Sequence, residues 1–509
     1  MLYLTIDSRI RFVLPPETRQ RWPGFLNLKA DMVISNPAYA QAEKHGRYTG
    51  GIDPTISLWH FDRASNTMSV PRGYGQVLTA LLRMYGISWQ VAADNRVLRD
   101  PVDFGSKIQL RDYQDPAVEA ALRATGGVLV APAGSGKTQM GLEIIARLRQ
   151  PALWLTHTLD LAEQAINRAA ENLSLTQTEI GMVGAGRHRI GNRLTIGIIQ
   201  TLINMDLSEL AGRFGTVIVD EVHHGSAPTW QAVINQLPAR YRFGLTATPK
   251  RADGLEIITT RVLGPVCSEV PRSAVKDASG IITPRLRTIN TGIESQVWRR
   301  HEERMADYQK RAAELKLQGK AVPKTPLMPF GAILDELLSS EKRNKLIVET
   351  LLTECPGHYS LVLSKRVEHC LELAYLLNKT ELDRGIRPRL RTSVIHGGLA
   401  KKVRANILEL AQAGKCDILF AVEIAKEGLD IPRLDRLFLV GGGRDENATE
   451  QQVGRIQRPW PGKVDAVVFD FVDELIPPMR AQHWARRKVY RRLGTVPAGQ
   501  GGERKRASG

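Results

Sequence analysis

A glycine-rich loop stands between a short apolar run and the start of a helical pattern, at residues 128–138 (VLVAPAGSGKT). Its small residues let main-chain N–H groups close around phosphate. The lysine that follows them can reach the β- and γ-phosphates of a nucleotide, and the next side chain, a threonine, offers its hydroxyl to Mg²⁺. This pattern predicts binding of ATP and Mg²⁺ at Ala133, Gly134, Ser135, Gly136, Lys137 and Thr138.

Two adjacent carboxylates, Asp220 and Glu221, end a second apolar run at residues 217–219. Carboxylates at the end of a buried strand are costly without a cation, which favours a metal at this position. We expect Asp220 to hold Mg²⁺ together with Thr138, and Glu221 to polarise the attacking water. The histidines at 223 and 224 raise a zinc alternative, which the absence of HExxH spacing disfavours.

Two arginines close a third segment, residues 451–458 (QQVGRIQR). Arg455 and Arg458 are three positions apart, so on a helix they share a face. Arginines placed in this way could reach the γ-phosphate from a second domain and stabilise the charge of the transition state. The alternative is a solvated basic helix end.

The segments around these residues alternate short apolar runs with helical patterns, once from about residue 108 to 270 and again from about residue 281. Such alternation predicts parallel sheets with crossover helices. The fold class is therefore α/β, with two tandem parallel-sheet domains. The predicted division is an accessory, β-containing N-terminal domain at 1–105, the first α/β domain at 106–272, the second at 273–475 with a charged helical insertion at about 294–324, and a basic C-terminal helix and tail at 476–509.

The composition is that of a globular protein, with 43% hydrophobic and 24% charged residues among 509. The formal net charge is +17, and nine basic residues against one acid follow Met479. This excess predicts a polyanionic partner. Four scattered cysteines favour neither a disulfide framework nor a zinc site. Without an apolar run of membrane-spanning length or a signal-peptide pattern at its start, the chain is expected to be cytoplasmic, with no membrane partner.

The three chemical segments, in this order on two α/β domains, resemble a superfamily 2 helicase of the DEAD/DEAH-like kind. Further segments match the motifs of that family: residues 110–114 (LRDYQ), 156–164, 199–202, 245–249 (LTATP), 364–365, 396–398 and 427–432 (EGLDIP). The resemblance implies two RecA-like domains. It also implies nucleotide contacts from Arg111, from Gln114 as reader of the base, and from Gly428, Asp430 and Gln451.

Within the superfamily, residues 220–224, 248–254 and 426–432 look most like the XPB/UvsW-type branch, including its phage and bacterial members, which implies DNA more than RNA. Three positions depart from the pattern. Val422 replaces a threonine, residues 250–253 lack the glutamate of the related XPB element, and Gln457 stands before Arg458 in place of the usual glycine.

Three peripheral features each leave more than one interpretation open. The N-terminal aromatic residues are expected to form a core, or to stack on bases as part of a nucleic-acid-binding domain. A helix near 294–324 would pack its narrow apolar seam on its own domain, or act as a wedge or partner-binding arm. The seam comprises Trp298, His301, Met305, Tyr308, Ala312 and Leu315. In the C-terminal helix, the apolar face predicted is Ala481, Trp484, Ala485, Val489 and Leu493. The arginines around it are expected to contact phosphate, with a merely solvated tail or a membrane-surface helix as the alternatives.

The sequence thus predicts an ATP-dependent DNA helicase or translocase that unwinds or remodels single-stranded, forked or branched DNA. Three alternatives stay open: an RNA helicase, a duplex-DNA translocase that does not separate strands, and a nucleic-acid-binding scaffold that does not hydrolyse ATP. The presence of Lys137, Asp220, Glu221, Arg455 and Arg458 argues against the scaffold.

Overall fold

A computed structural model describes residues 1–14, 24–44, 48–132, 134–222, 227–247, 255–385, 389–422 and 431–497. The chain divides into two compact units, Met1–Ser279 and Gly280–Gly509. Each unit is built around its own large sheet, and the first also carries a smaller sheet at its N-terminus.

The N-terminal part of the first unit is a five-stranded mixed sheet with the strand order β5-β6-β2-β1-β7. A small hairpin of β3 and β4, a 3₁₀ helix at Arg72–Tyr74 and three α-helices accompany it. Its elements are β1 (Leu2–Ile6), β2 (Arg9–Val13), α1 (Gly24–Ala30), β3 (Val33–Ser35), α2 (Pro37–Lys44), β4 (Thr55–Ser57), β5 (His60–Asp62), β6 (Thr67–Pro71), α3 (Gly75–Met84) and β7 (Trp89–Asp94).

An eight-stranded sheet follows in the same unit, with the order β11-β10-β12-β9-β13-β14-β8-β15. Among the strand pairings of this sheet that the structure describes, that of β10 with β11 is antiparallel and the others are parallel. Its elements are α4 (Gln114–Ala124), β8 (Gly126–Val130), α5 (Lys137–Leu148), β9 (Ala152–Thr156), α6 (Leu159–Asn172), β10 (Gly181–Gly184), β11 (Arg187–Arg189), β12 (Leu194–Ile198), α7 (Ile199–Leu202), α8 (Ser208–Ala211), β13 (Thr216–Val219), α9 (Ala227–Ile234), β14 (Tyr241–Thr246), α10 (Glu256–Leu263), β15 (Val266–Glu269) and α11 (Arg272–Ser279).

The two sheets of the first unit share one hydrophobic core, which runs from Leu4 and Phe12 of the small sheet to Val217 of the large one. The contact is close at Gly73, where a Cβ atom would lie 2.5 Å from the main-chain nitrogen of Gly264. Among the described N-terminal aromatic residues, Tyr3 and Tyr48 are exposed. Six belong to this core or pack against it: Phe12, Trp59, Phe61, Tyr74, Tyr85 and Trp89.

The second unit holds a seven-stranded, all-parallel sheet with the order β18-β19-β17-β20-β21-β16-β22. Its elements are β16 (Arg285–Asn290), α12 (Gln296–Leu317), α13 (Phe330–Leu338), α14 (Glu341–Glu354), β17 (Ser360–Ser364), α15 (Val367–Asp383), β18 (Thr392–Ile395), α16 (Lys401–Gln412), β19 (Ile418–Val422), β20 (Arg436–Leu439), α17 (Glu446–Ile456), β21 (Val467–Val472), α18 (Pro477–Arg492) and β22 (Val496–Pro497).

The charged segment after β16 forms the 22-residue helix α12. Glu336 of α13 accepts hydrogen bonds from the first main-chain N–H groups of α12, at 2.8 Å from Gln296 and 3.2 Å from Val297. The predicted apolar seam is buried at His301 and Ala312 and partly buried elsewhere. Helix α12 therefore packs on its own unit, which favours the first of the two interpretations of this segment.

The apolar face predicted for the C-terminal helix is partly wrong. In α18 the buried residues are Met479, Gln482, Arg486, Val489 and Tyr490, while Trp484 is 53% exposed. The reason is a buried acid, Asp470 of β21, which draws Arg486 inward. Because Val489 and Tyr490 belong to the core of the second unit, α18 is part of that domain's packing and not a detachable tail.

The prediction of an α/β fold with two tandem parallel-sheet domains is confirmed. The division into four parts stays a prediction. Searched over the described residues, none of the helices has the length and apolar character needed to cross a membrane.

Candidate nucleotide-binding site

The loop between β8 and α5 turns through left-handed backbone conformations at Gly134 and Gly136, both with φ of 79°. Glycine adopts such angles without steric cost. At Gly136, a Cβ atom would also lie 2.4 Å from Nε2 of Gln114, so close packing of the loop requires glycine there. Ala133 lies outside the described residues, and Thr138 is the second residue of α5.

The first residue of α4, Gln114, and the residue before it brace this loop from one side. The Gln114 amide donates to the carbonyl oxygen of Ser135 at 2.7 Å, and its own oxygen accepts from the main-chain N–H of Arg111 at 2.9 Å. The hydroxyl of Tyr113 donates to the same Ser135 carbonyl at 3.1 Å. The predicted base-reading segment therefore contacts the phosphate loop directly.

Lys137 lies at the start of α5, with its ammonium 3.3 Å from the carbonyl oxygen of Ala131 and 3.5 Å from Oε1 of Glu221. The two side chains are only 10% and 20% exposed. An ion pair between two side chains that are largely withdrawn from water is weakly screened, so it holds the lysine next to the carboxylate. The structure thus brings together the predicted phosphate-binding cation and the predicted water-orienting acid.

The two carboxylates follow β13 directly. Asp220 is 8% exposed, and its Oδ1 accepts from the main-chain N–H of Glu221 at 3.0 Å. Burial and then the neighbouring Glu221 raise the pKa of Asp220 to about 7, against the opposing effect of Lys137. Glu221 has φ of 46°, a left-handed conformation that costs a non-glycine residue about 1–3 kcal/mol and occurs often at functional sites.

These residues meet because their strands are neighbours in a parallel sheet. β14 pairs with β8 on one side and with β13 on the other, so the carboxyl ends of all three lie at one edge. The main-chain N–H of Ala131 donates to the carbonyl oxygen of Thr246 at 2.9 Å, and that of Val222 donates to Leu245 at 3.0 Å. Residues 248–254 and the histidines at 223 and 224 lie outside the described residues.

The residues of this edge fit a nucleotide and a divalent cation. The hydroxyl of Ser135 is buried with no hydrogen-bond partner within the described chain. It lies in a glycine loop at the start of a helix, where main-chain N–H groups can bind phosphate. Asp220 is a hard oxygen ligand, and a carboxylate with a raised pKa gains most from a nearby cation. Thr138 and Asp220 would hold Mg²⁺.

In the second unit, α17 carries Gln451 and Arg455, and Asp445 caps its first turn by accepting from the N–H of Ala448 at 3.0 Å. The helix ends at Ile456, so Arg458 lies beyond it. The expectation that Arg455 and Arg458 share one helix face is therefore wrong. Gly428 and Asp430 lie outside the described residues.

One contributor to the loop was missed from the sequence. Tyr113 stands inside the predicted segment 110–114, but only Arg111 and Gln114 were singled out there. Its place directly before Gln114, in a segment already predicted to lie at the nucleotide site, is the sequence signal that could have identified it. A phenol hydroxyl can donate to a main-chain carbonyl of the loop.

Two protein families match the chain in the order of its two sheets. The family described as "Type III restriction enzyme, res subunit" matches residues 107–251, and the "Helicase conserved C-terminal domain" matches residues 341–459.

Individual relatives match most of the chain. The "DNA 3'-5' translocase XPB2" of Sulfurisphaera tokodaii is 26% identical over 74% of this chain and 85% of its own length. The "Probable helicase D10" of Escherichia phage T5 is 27% identical over 81% of this chain and 82% of its own. The crystal structure of phage T4 UvsW covers 97% of both chains at 16% identity, with a TM-score of 0.42.

Proposed function

Because the chain belongs to the superfamily 2 helicases of the XPB/UvsW type, we propose that it couples ATP hydrolysis to the unwinding or remodelling of DNA. Two helicase domains and relatives named as DNA helicases or translocases support an ATP-dependent DNA helicase or translocase. The observation that carries the site assignment is the contact of Lys137 with Glu221 beside the glycine loop, within one sheet edge.

Each residue at that edge has a distinct role in the proposed reaction. The loop amides and Lys137 bind the phosphates, and Gln114 and Arg111 hold the loop and face the base. Glu221 accepts a hydrogen bond from the attacking water and orients it. Bound Mg²⁺ would supply charge neutralisation of the β- and γ-phosphate oxygens.

Arg455 and Arg458 of the second unit are proposed to contact the γ-phosphate during hydrolysis. A guanidinium that meets the γ-phosphate at the transition state lowers the barrier without tightening ground-state binding. Gln451, Gly428 and Asp430 are proposed as further nucleotide contacts, by resemblance to the family motifs.

The proposed partner is DNA in single-stranded, forked or branched form. The names of the relatives suggest translocation from 3' to 5'. RNA helicase activity and duplex translocation without strand separation are the competing functions, and a scaffold without hydrolysis is the third.

ATP hydrolysis measured against single-stranded, duplex, forked and branched DNA and the matching RNAs separates these functions. We expect stimulation by DNA and little by RNA.

Lys137→Ala should abolish turnover, and Glu221→Gln should keep ATP bound while slowing hydrolysis by about 10²-fold or more, since the loop remains but the water loses its acceptor. Parental turnover in Glu221→Gln would contradict the role assigned to this carboxylate, and equal stimulation by RNA would favour the RNA helicase.

A further inference from the structure

A lysine in the loop between α17 and β21 connects three main-chain carbonyl groups. The ammonium of Lys463 donates to the carbonyl oxygens of Arg458 at 2.8 Å, Leu434 at 2.5 Å and Pro432 at 3.3 Å. An ammonium has three N–H donors, so this arrangement uses all of them. The three acceptors come from two separate chain segments, which Lys463 therefore joins.

Each of these two segments includes or borders a helicase-family motif that is proposed to contact the nucleotide. Pro432 is the last residue of the family motif at 427–432, and Arg458 is the last residue of the one at 451–458. Arg458 lies past the end of α17, so the regular hydrogen bonds of that helix do not fix its main chain. The hydrogen bond from Lys463 therefore helps to hold the main chain of Arg458, which lies beyond the regular hydrogen bonds of the helix.

The loop that carries Lys463 is itself well anchored. The N–H of Lys463 donates to the carbonyl oxygen of Trp460 at 3.0 Å, and Gly462 turns the chain with φ of 80°. The Arg433 guanidinium packs between two aromatic rings. Its central carbon lies 5.1 Å from the ring centroid of Trp460 and 4.8 Å from the ring centroid of Tyr359. Because this loop is held in place by these contacts, the Lys463 side chain that extends from it can hold the main chain of Arg458 in a fixed position.

We propose that Lys463 is a positioning residue for ATP hydrolysis, which holds the main chain of Arg458 against the segment that ends at Pro432. The proposal rests on the proposed function, because it requires Arg458 to act on the phosphate. A loosened Arg458 would still leave the ATP loop intact, so the loss should fall on turnover and not on substrate binding.

The charged surroundings of Lys463 add a pH signature. Burial, together with Arg458 and Arg436, lowers its pKa to about 8, while Asp435 opposes the shift. Asp435 in turn contacts His358 at 2.7 Å, and Arg436 contacts Asp465 at 2.8 Å. A neutral amine has two N–H donors, so deprotonation removes at least one of the three bonds. Turnover should therefore fall as the pH rises through about 8.

The test compares Lys463→Met, Arg458→Ala, their combination and a matched control, Lys342→Met, which changes an exposed lysine of the same unit. We expect Lys463→Met to lower kcat by about tenfold with KM for ATP changed less than about twofold. It should also lose the alkaline fall in kcat near pH 8, and the combination should cost no more than Arg458→Ala alone. The control should keep parental values.

The outcomes separate this proposal from the one on which it rests. Parental kcat in Arg458→Ala would overturn the role of that arginine, whatever Lys463 does. A loss in Arg458→Ala with parental kcat and an unchanged alkaline fall in Lys463→Met would overturn the positioning role alone. If Lys463→Met does not fold, the pH profile of the unaltered protein decides, because a kcat that stays constant through pH 8 contradicts the proposal.

Discussion

The N-terminal sheet and the C-terminal helix are each attached to a neighbouring α/β sheet by buried or partly buried arginines, but the arginines have different partners. In the first unit, Arg242 of β14 donates to the carbonyl oxygens of Ser8, at 3.0 Å, and Leu237. Arg72 donates to the carbonyl oxygens of Ala239 at 2.5 Å and Arg240 at 2.7 Å. Main-chain oxygens accept from both guanidinium groups, but Nε of Arg242 is buried with no hydrogen-bond partner among the described residues.

In the second unit, Arg486 of α18 meets a carboxylate. Its Nη2 lies 2.7 Å from Oδ1 of Asp470, and Asp470 also accepts from Tyr490 at 3.0 Å and from His483 at 2.9 Å. Arg486 donates in addition to the carbonyl oxygen of Gly443 at 2.7 Å, just before α17. The C-terminal helix therefore supports the loop that leads into the arginine-bearing helix.

The pKa values reflect this difference in partners. Burial lowers the pKa of Arg242 to about 9, and that of Arg72 also lies well below its usual range. Burial opposes the charge of Asp470 as well, but Arg486 and His483 outweigh it and lower its pKa. A carbonyl offers a partial charge and a carboxylate a full one, so only the second arrangement compensates the buried cation.

The largest expected effect follows from breaking the ion pair. Arg486→Met should lower the free energy of unfolding of the second unit by about 3–5 kcal/mol, because Asp470 stays buried without its cation. Chemical denaturation measures this loss, with Lys488→Met as a matched control on the exposed side of the same helix.

The pair also has an acid signature. The lowered pKa of Asp470 gives stability that is present above the unfolded value, about 4, and is lost as the pH falls through the folded value. Adding Asp470→Asn to Arg486→Met should restore part of the stability and weaken this acid dependence. A double variant less stable than Arg486→Met would contradict the buried-charge explanation.

A smaller effect is expected at the N-terminal junction. Arg242→Met removes hydrogen bonds to two carbonyl groups but also removes an uncompensated buried charge, so the loss should be about 1–3 kcal/mol. Denaturation of the first unit tests this value, with Arg123→Met, an exposed arginine of the same unit, for comparison. A loss as large as that of Arg486→Met would mean that carbonyl groups anchor an arginine as strongly as a carboxylate.

The parts of the fold that the sequence predicts well are those governed by hydrophobic pattern. Apolar runs such as residues 217–219 and 418–422 become buried strands of parallel sheets, and the glycine loop follows its strand as expected. Parallel strands also bring their carboxyl ends together, so the meeting of Lys137 with Glu221 could be anticipated. The catalytic roles of these residues stay predictions.

The parts that the sequence predicts poorly depend on partners distant along the chain. A helical pattern ranks Trp484 as a core residue and Arg486 as a surface one, but Asp470, in another element, reverses the order. Similarly, the end of α17 at Ile456 is set by the following loop and leaves Arg458 outside the helix. Lys463 carried no sequence signal, since its acceptors are main-chain atoms.

The smallest effect on stability is expected at the exposed basic residues of α18, because surface substitutions change stability by about 0.5 kcal/mol or less. Truncation after Pro478 would remove Val489 and Tyr490 from the core, so point substitutions are needed to test DNA contact by α18. Neutralising Arg480, Lys488 and Arg491 with alanine should flatten the dependence of log affinity on log salt by up to about 2.7 on duplex DNA, since each phosphate contact contributes about 0.9. Arg486 should add nothing to this slope because Asp470 already binds it.

The control neutralises three exposed lysines elsewhere in the same unit, Lys342, Lys345 and Lys379. Equal slopes for the α18 variant and the unaltered protein would show that this helix serves packing alone.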